Sequence, residues 1–88
     1  MDKDRCFIRD SSVSYRIIDD ELIIIDPYRH KLLKLNDTGR AIWELLNGRH
    51  SVAQIIDILK EEFDTERETI EKDVCKFINS LNKREIIR

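Results

Sequence analysis

The sequence predicts an α+β fold, in which a three-stranded antiparallel sheet is followed by three helices. Apolar residues between positions 13 and 35 recur with a two-residue period and are interrupted by two turn signals, which is typical of short strands. From Asn36 onward the period becomes that of a helix, and candidate caps divide this half into three segments. The chain has 88 residues, with two glycines and one proline, so we expect a single domain over 1–88 without a long flexible linker.

The strand half has clear boundaries. Residues 1–12 are polar, and we expect them to be loosely ordered. Asp19-Asp20 is a turn signal, and Pro27 should end the second strand because proline has no backbone donor. The predicted strands are Val13–Ile18, Glu21–Asp26 and Lys31–Leu35. In the first strand one face should carry Val13, Tyr15 and Ile17. Short connections favour antiparallel neighbours, so the three strands should form a meander.

The helix half is divided by caps. Asn36 or Asp37 can cap a first helix that runs to about Leu46, and Gly48 lies where a left-handed C-terminal cap is favoured. Ser51 begins the second helix and forms a capping box with the glutamine three residues later. The third helix should begin in the same way at Thr65 and Glu68. The C-terminal residues Ile86 and Ile87 should pack back on the domain. The expected core residues of the three helices, which recur at helical spacing, are Ile42, Leu45, Leu46, Val52, Ile55, Ile56, Leu59, Phe63, Ile70, Val74, Phe77, Ile78 and Leu81.

Composition limits the possible locations and partners. The net charge is −2, from 16 basic and 18 acidic residues, so the chain lacks the basic excess of proteins that depend on phosphate contacts. Cys6 and Cys75 are far apart and lack metal-type spacing, which favours free thiols in a reducing compartment. No apolar run approaches the roughly 20 residues of a membrane span. We therefore expect a cytoplasmic protein without a membrane partner.

No catalytic or metal-binding constellation is recognisable in the sequence. His30 falls in a predicted turn and His50 in a helix connection, and neither has a second ligand at metal spacing. Cys75 lies beside predicted core positions, where a small buried residue is a better interpretation than a nucleophile. The sequence therefore predicts neither an enzyme nor a bound cofactor or metal.

Three helices with a small sheet also describe a winged helix-turn-helix, so a DNA-binding regulator is the alternative. The N-terminal end of the recognition helix would then enter the major groove. Residues 65–73 carry four acids and two bases, which phosphates would repel. We therefore expect no nucleic acid partner.

The third predicted strand, Lys31–Leu35, should lie at an edge of the meander. Edge strands expose unpaired backbone groups, and Lys31 and Lys34 could serve only to protect them. Alternatively, the edge could accept an extended peptide as a fourth strand, with the third helix forming the other wall of the site. The residues alone leave these two interpretations open.

One stretch resembles a known family. Residues 35–48 read L-N-D-T-G-R-A-I-W-E-L-L-N-G, and residues 51–55 read S-V-A-Q-I. This is similar to the PqqD pattern L-N-x-T-(G/A)-x-x-I-(W/L)-x-L-x-(D/N)-G followed by (T/S)-V-x-(E/Q)-I. With the preceding strands and the later V-x-x-F-(I/L)-x-x-L helix, the resemblance covers about residues 13–88. Several matching positions are interpreted as caps: Asn36, Thr38, Gly48 and Ser51.

The resemblance implies a precursor-peptide recognition element, which is a non-catalytic chaperone for ribosomally synthesised, post-translationally modified peptides (RiPPs). Such a protein binds the leader segment of the precursor by strand addition and presents it to a modifying enzyme, either a leader peptidase or a radical enzyme. Pathways served by the family include pyrroloquinoline quinone (PQQ) and lasso peptides, and the short chain resembles the stand-alone lasso type. We expect a monomer or weak homodimer. The implied peptide-binding residues are Lys31, Leu32, Leu33, Lys34, Leu35, Val74, Phe77, Ile78 and Leu81.

Overall fold

The computed structural model describes residues 2–88. Its elements in chain order are β1 (Cys6–Ile8), β2 (Ser14–Ile18), β3 (Glu21–Asp26), β4 (Lys31–Leu35), α1 (Asp37–Leu45), β5 (Asn47–Ser51), α2 (Val52–Glu62) and α3 (Arg67–Lys83). The predicted α+β class is confirmed, because an antiparallel sheet in the order β2-β3-β4 precedes three helices. The short strands β1 and β5 form a second, two-stranded sheet that the sequence did not predict.

The hairpin between β2 and β3 turns tightly at the two predicted residues. Asp19 and Asp20 have φ angles of 51° and 64°, so both central residues are left-handed, as a type I′ turn requires. Aspartate tolerates this region better than most residues because its short polar side chain can bond the local backbone. The turn sets the register, in which Tyr15 lies opposite Ile24, and Ile24 lies opposite Leu33.

The same turn determines which backbone groups the sheet uses. In this hairpin the carbonyl before the turn accepts from the amide after it, so Ile18 and Glu21 form a hydrogen-bonded pair. Such pairs alternate along antiparallel strands, so residues 21, 23 and 25 bond β2, whereas residues 22, 24 and 26 bond β4. The amides and carbonyls of Leu32 and Lys34 therefore point away from β3, at an edge with no further strand among residues 2–88.

The N-terminal segment is more ordered than predicted. The expectation that residues 1–12 are loosely ordered is wrong for β1, which pairs with β5 and buries Phe7 to 3% exposure. Ile8 and Arg88 exchange two backbone hydrogen bonds of 2.9 and 2.8 Å, so the C-terminal tail adds to this sheet. β1 has only three residues and one buried side chain, so the sequence contains almost no alternating pattern by which to recognise it as a strand. The predicted packing of Ile86 and Ile87 against the domain is confirmed, since both are buried.

The helix caps agree with the sequence at two of the three starts. Asn36 Oδ1 accepts the Gly39 amide at 2.8 Å, and Ser51 and Gln54 form both bonds of the capping box. The third box is wrong, because α3 has Glu66 as its N-cap without a side-chain bond. The Thr65 amide instead donates to the Phe63 carbonyl at 3.0 Å, which places Thr65 in the turn that follows α2.

Gly48 has the predicted left-handed backbone but a different position. Its φ is 78°, yet α1 ends at Leu45 with Leu46 as C-cap, and Gly48 lies within β5. A Cβ at Gly48 would lie 3.5 Å from the Ile8 side chain, which is an ordinary contact, so the left-handed backbone and not a lack of space favours glycine here. Gly48 therefore serves the two-stranded sheet rather than the end of α1.

The core lies between the three-stranded sheet and the helices. The sheet contributes Leu22, Ile24 and Leu35, and Trp43 from α1 is fully buried among them and the helical residues. The expected strand face of Val13, Tyr15 and Ile17 is only partly correct. Val13 is buried but precedes β2, whereas the side chains of Tyr15 and Ile17 are about half exposed.

Candidate functional site

The free edge of β4 is the first component of the site. Leu33 and Leu35 face inward, where Leu33 is half-buried against the core and Leu35 is buried. Leu32 and Lys34 face outward and are exposed, with 69% of Leu32 accessible. Lys31 is exposed at the start of the strand. All five predicted strand residues thus lie along one open edge, but their side chains divide between two faces of the sheet.

A cavity of about 360 Å³ adjoins the end of β4, between the N-terminal part of α1 and one face of α3. Its lining residues are Asn36, Thr38, Gly39, Ile42, Asp73, Lys76, Phe77 and Ser80. Gly39 forms a close packing point, since a Cβ there would lie 3.2 Å from the Asn36 Oδ1 atom that caps α1, and it would also contact the Leu35 side chain and the Phe77 ring at 3.4 and 3.6 Å. The volume lies within the range of small ligand sites, and it is large enough for one or two amino-acid side chains.

The four predicted positions of α3 separate into two groups. Phe77 lines the cavity and is partly buried. Val74, Ile78 and Leu81 are at most 1% exposed and belong to the core, so the structure gives them no surface on which to contact a peptide. They hold α3 against the domain, and through it they position Phe77.

Sequence reasoning missed three cavity residues on α3, namely Asp73, Lys76 and Ser80. Each of them lies one residue before a position that faces the core or the cavity, namely Val74, Phe77 and Leu81. The cavity residues therefore form a line along α3 next to the line of core residues. A signal existed in the sequence, because Phe77 is the one large apolar residue on the border of the two lines. Polar residues beside it would ordinarily be interpreted as solvated surface.

The connection between β3 and β4 is attached to the end of α3. Asp26 is fully buried, and its Oδ1 accepts the amides of Tyr28 at 2.9 Å and Arg29 at 3.2 Å. The Arg29 guanidinium then donates to the carbonyls of Arg84 at 2.5 Å and Lys83 at 3.3 Å. These carbonyls lie at the C-terminal end of a helix, where a cation is favoured. The bonds hold the start of β4 at a defined distance from α3.

The buried carboxylate of Asp10 accepts several hydrogen bonds. The Ser12 hydroxyl donates to its Oδ1 at 2.7 Å and the Ser12 amide at 2.9 Å, while Tyr28 donates to Oδ2 at 3.0 Å. The pKa of Asp10 is held well below its usual range, first by the Ser12 hydroxyl and then by the Ser12 amide. Because Tyr28 belongs to the β3–β4 connection, this network links the N-terminal segment to the same hairpin.

The opposite edge of the sheet, β2, is also open, but none of its residues lines the cavity between α1 and α3. Tyr15 packs edge-on against Trp43, with ring centroids 5.7 Å apart. The Arg9 guanidinium lies over both rings, at 5.5 and 5.7 Å, and donates to the Trp43 carbonyl at 3.3 Å. These contacts occupy the inner side of β2, so the two edges are not equivalent.

The histidines and the start of α3 do not form a further site. His30 lies in the β3–β4 connection, and the His50 ring bonds Asn47 at 3.1 Å. Within residues 2–88 no group of three or more His, Cys, Asp or Glu side chains could hold a metal ion. The same residues include no helix long and apolar enough to cross a membrane. At the start of α3, Arg67 forms an ion pair with Asp57 at 2.8 Å. One of the two basic side chains in residues 65–73 is therefore engaged by an acid of α2, and the four acidic side chains of this segment remain in excess.

The fold and site together define a small α+β domain that has an open edge strand next to a cavity between two helices. The profile of the family described as coenzyme PQQ synthesis protein D (PqqD) matches residues 21–87, and the chain belongs to this family. The family membership that the sequence resemblance implied is therefore confirmed.

Known proteins of this kind are similar over most of the chain. The PqqA binding protein of Xanthomonas campestris pv. campestris (strain 8004) is 29% identical over 69 residues, which are 78% of this chain and 73% of that protein. The structure of TbiB1 in complex with the TbiA(beta) leader peptide has a TM-score of 0.80 at 26% identity, covering 92% of this chain and 94% of that one. A lasso peptide synthetase B1 complexed with the leader peptide has a TM-score of 0.82 at 25% identity, covering 96% and 99%.

Proposed function

We propose that this protein binds the leader segment of a ribosomally synthesised precursor peptide as a strand added to β4, and presents it to a modifying enzyme. The observation that carries the proposal is the outward-pointing backbone of Leu32 and Lys34 beside the cavity lined by Phe77. Backbone hydrogen bonds would supply affinity for an extended chain, and the cavity would take an inward-facing side chain.

The geometry supports a division of roles among the predicted residues. A peptide on β4 would contact the backbone of Leu32 and Lys34, and its inward side chains would meet Leu33, Leu35 and Phe77. Val74, Ile78 and Leu81 would act only by supporting α3. Lys31 lies beyond the two outward-pointing residues and would contribute charge at the rim.

The comparisons support a peptide ligand of this class. The similar Xanthomonas protein is named for binding PqqA, and two similar structures hold leader peptides. The lasso peptide synthetase B1 matches 96% of this chain, which favours a leader peptidase as the partner enzyme, with a radical enzyme of a PQQ-type pathway as the other candidate. The free cysteines Cys6 and Cys75 are compatible with a function in the cytoplasm. We propose that the protein acts there as a monomer or weak homodimer.

We expect the chain to be non-catalytic, because the cavity lining offers no histidine or thiol and its aspartate and lysine lie on one solvated helix face. The test is incubation of the protein alone with its full-length precursor, followed by mass spectrometry. An unchanged precursor mass is the expected result. A cleaved or modified product would make the protein an enzyme.

The winged-helix alternative gains no support, since the start of α3 is acid-rich and one of its two bases is paired. A gel-shift assay with genomic fragments at physiological ionic strength should show no sequence-specific complex. A tight, salt-sensitive shift would favour the regulator instead.

The direct test is a ¹⁵N chemical-shift titration with the synthetic leader segment of a candidate precursor peptide. Amide shifts should concentrate on β4 and on the face of α3 that carries Phe77. If the shifts concentrate on β2 or on the start of α3 instead, strand addition to β4 is wrong.

A further inference from the structure

The outer face of the three-stranded sheet carries an apolar patch that the fold does not explain. The register places Leu32 opposite Ile25 and Lys34 opposite Ile23, all on the face directed away from the core. The two isoleucines are half-buried by their neighbours, but Leu32 is 69% exposed. A leucine at this exposure contributes little to stability, and exposed apolar clusters on small domains commonly mark contact surfaces.

The backbone geometry indicates what lies beside this patch when the edge is occupied. The hydrogen-bonding groups of Leu32 and Lys34 are the free ones, so an added strand bonds through these two residues. The peptide residues opposite them must point to the same outer face, with Cβ atoms roughly 5 Å away. Two peptide residues, two positions apart, therefore meet Leu32 and Lys34 and never enter the inner cavity.

The chemistry of the two outer side chains differs. Leu32 and Ile25 offer an apolar surface that a third apolar side chain would extend. Lys34 has one ion pair, to Glu21 at 2.9 Å, and its side chain remains 65% exposed. An ammonium group has three donors, so Lys34 can bond a second carboxylate from the open side of the strand without losing Glu21.

From this arrangement we infer that the protein also recognises the outward-facing side chains of the bound peptide, preferring an apolar residue opposite Leu32 and an acidic residue opposite Lys34. The inference rests on the proposed function, since it needs a strand on β4, and it goes beyond that function by naming the peptide chemistry. Inner-cavity binding and outer-face reading are separate, because alternate side chains of one strand serve them.

The experiment uses a displayed library of random 12-residue peptides, selected in parallel on the immobilised full chain and its variants. The wild type should enrich peptides with an apolar and an acidic residue two positions apart. Lys34→Glu should replace the acidic preference with a basic one and leave the apolar one unchanged. Leu32→Thr, which keeps strand propensity, should lose the apolar preference only.

Binding of single enriched peptides then gives magnitudes. The charge reversal should weaken the acidic peptide about threefold and strengthen its lysine counterpart by a similar factor, as for exposed ion pairs. Arg16→Glu is the matched control, because Arg16 is an exposed cation on the outer face of the same sheet but on the β2 edge. It should change neither preference. Thermal melts verify that each variant folds.

Failure of the inference and failure of the proposed function give different results. If the wild type, Lys34→Glu and Leu32→Thr enrich the same peptides while Lys34→Pro enriches none, the strand is bound but its outer side is unread, and the inference is wrong. If Lys34→Pro enriches the same peptides as the wild type, or the wild type enriches none, strand addition itself is refuted.

Discussion

Replacing Lys34 by proline should separate peptide binding from folding. The Lys34 amide points away from β3, so the substitution removes no backbone hydrogen bond within the domain and loses only the exposed ion pair with Glu21. It removes one donor to an added strand and places a ring where that strand must approach. The lost hydrogen bond is worth about 0.5–1.5 kcal/mol, and with the steric clash we expect a total loss of about 2 kcal/mol. This corresponds to about a thirtyfold rise in Kd.

Two controls isolate the backbone contribution. Lys34→Ala removes the ammonium and its ion pair with Glu21 but keeps the amide, so it should weaken binding only about threefold. Ile17→Pro makes the equivalent change on the other edge, because the Ile17 amide also points outward from the sheet. It should leave peptide affinity unchanged.

The assay is fluorescence anisotropy with a labelled leader peptide, and a thermal melt is recorded for every variant. Lys34→Pro should retain a cooperative melt, with the main change in Kd. Two results would contradict the reasoning: Lys34→Pro binds as well as the wild type, or Ile17→Pro loses as much affinity as Lys34→Pro. The second result would assign the peptide to β2.

Four further changes test the site and the fold around it. Phe77→Ala should lower leader affinity about thirtyfold and the free energy of unfolding by about 2 kcal/mol, since the ring is only partly buried; anisotropy and urea titration measure the two effects. Gly39→Ala adds a methyl group to the cavity wall, so affinity should fall severalfold, while the gain in helix propensity of about 1 kcal/mol offsets its close contacts in the melt. Asp10→Asn tests acid stability. The folded pKa of Asp10 lies below its ordinary value of about 3.9, so its stabilising effect is present above that pH and is lost as pH falls below it. Urea midpoints between pH 5 and pH 2 should therefore fall less steeply in the variant than in the wild type, and equal slopes would exclude the Ser12 bonds as the cause. Ser51→Ala should cost about 1 kcal/mol by removing the capping box, with Kd unchanged.

The predicted elements were those whose signals are local. Asn36 and Ser51 cap their helices as the sequence indicates, because a side-chain oxygen and an amide three residues later suffice. The β2–β3 turn was likewise predicted by two adjacent aspartates. The pairing of β1 with β5 depends on residues more than 35 positions apart, and no local pattern records it.

The site was predicted at the level of the elements and not of the individual side chains. The edge strand followed from the order of the strands, and the resemblance supplied α3 as the second wall. Helical spacing predicts that Val74 belongs to the core, and the structure confirms its burial. The same spacing does not show which polar neighbours of the core residues line a cavity, so the position of Asp73 emerges only from the packing of α3 beside α1.

The pleat of β4 explains how one short strand can both hold the fold and select a ligand. Leu33 and Leu35 face the core side, so substitution there should affect stability and binding together. Leu32 and Lys34 face away, and their side chains are free to vary while their backbone groups remain available to any extended peptide. Affinity from the backbone and specificity from the outer side chains would then be set by different atoms of the same two residues. Since the fold is shared at a TM-score of 0.80 with a protein only 26% identical, such surface positions can differ without loss of the scaffold. The double variant Leu32→Thr with Lys34→Glu should therefore change the peptide preference and leave the melting temperature nearly unchanged.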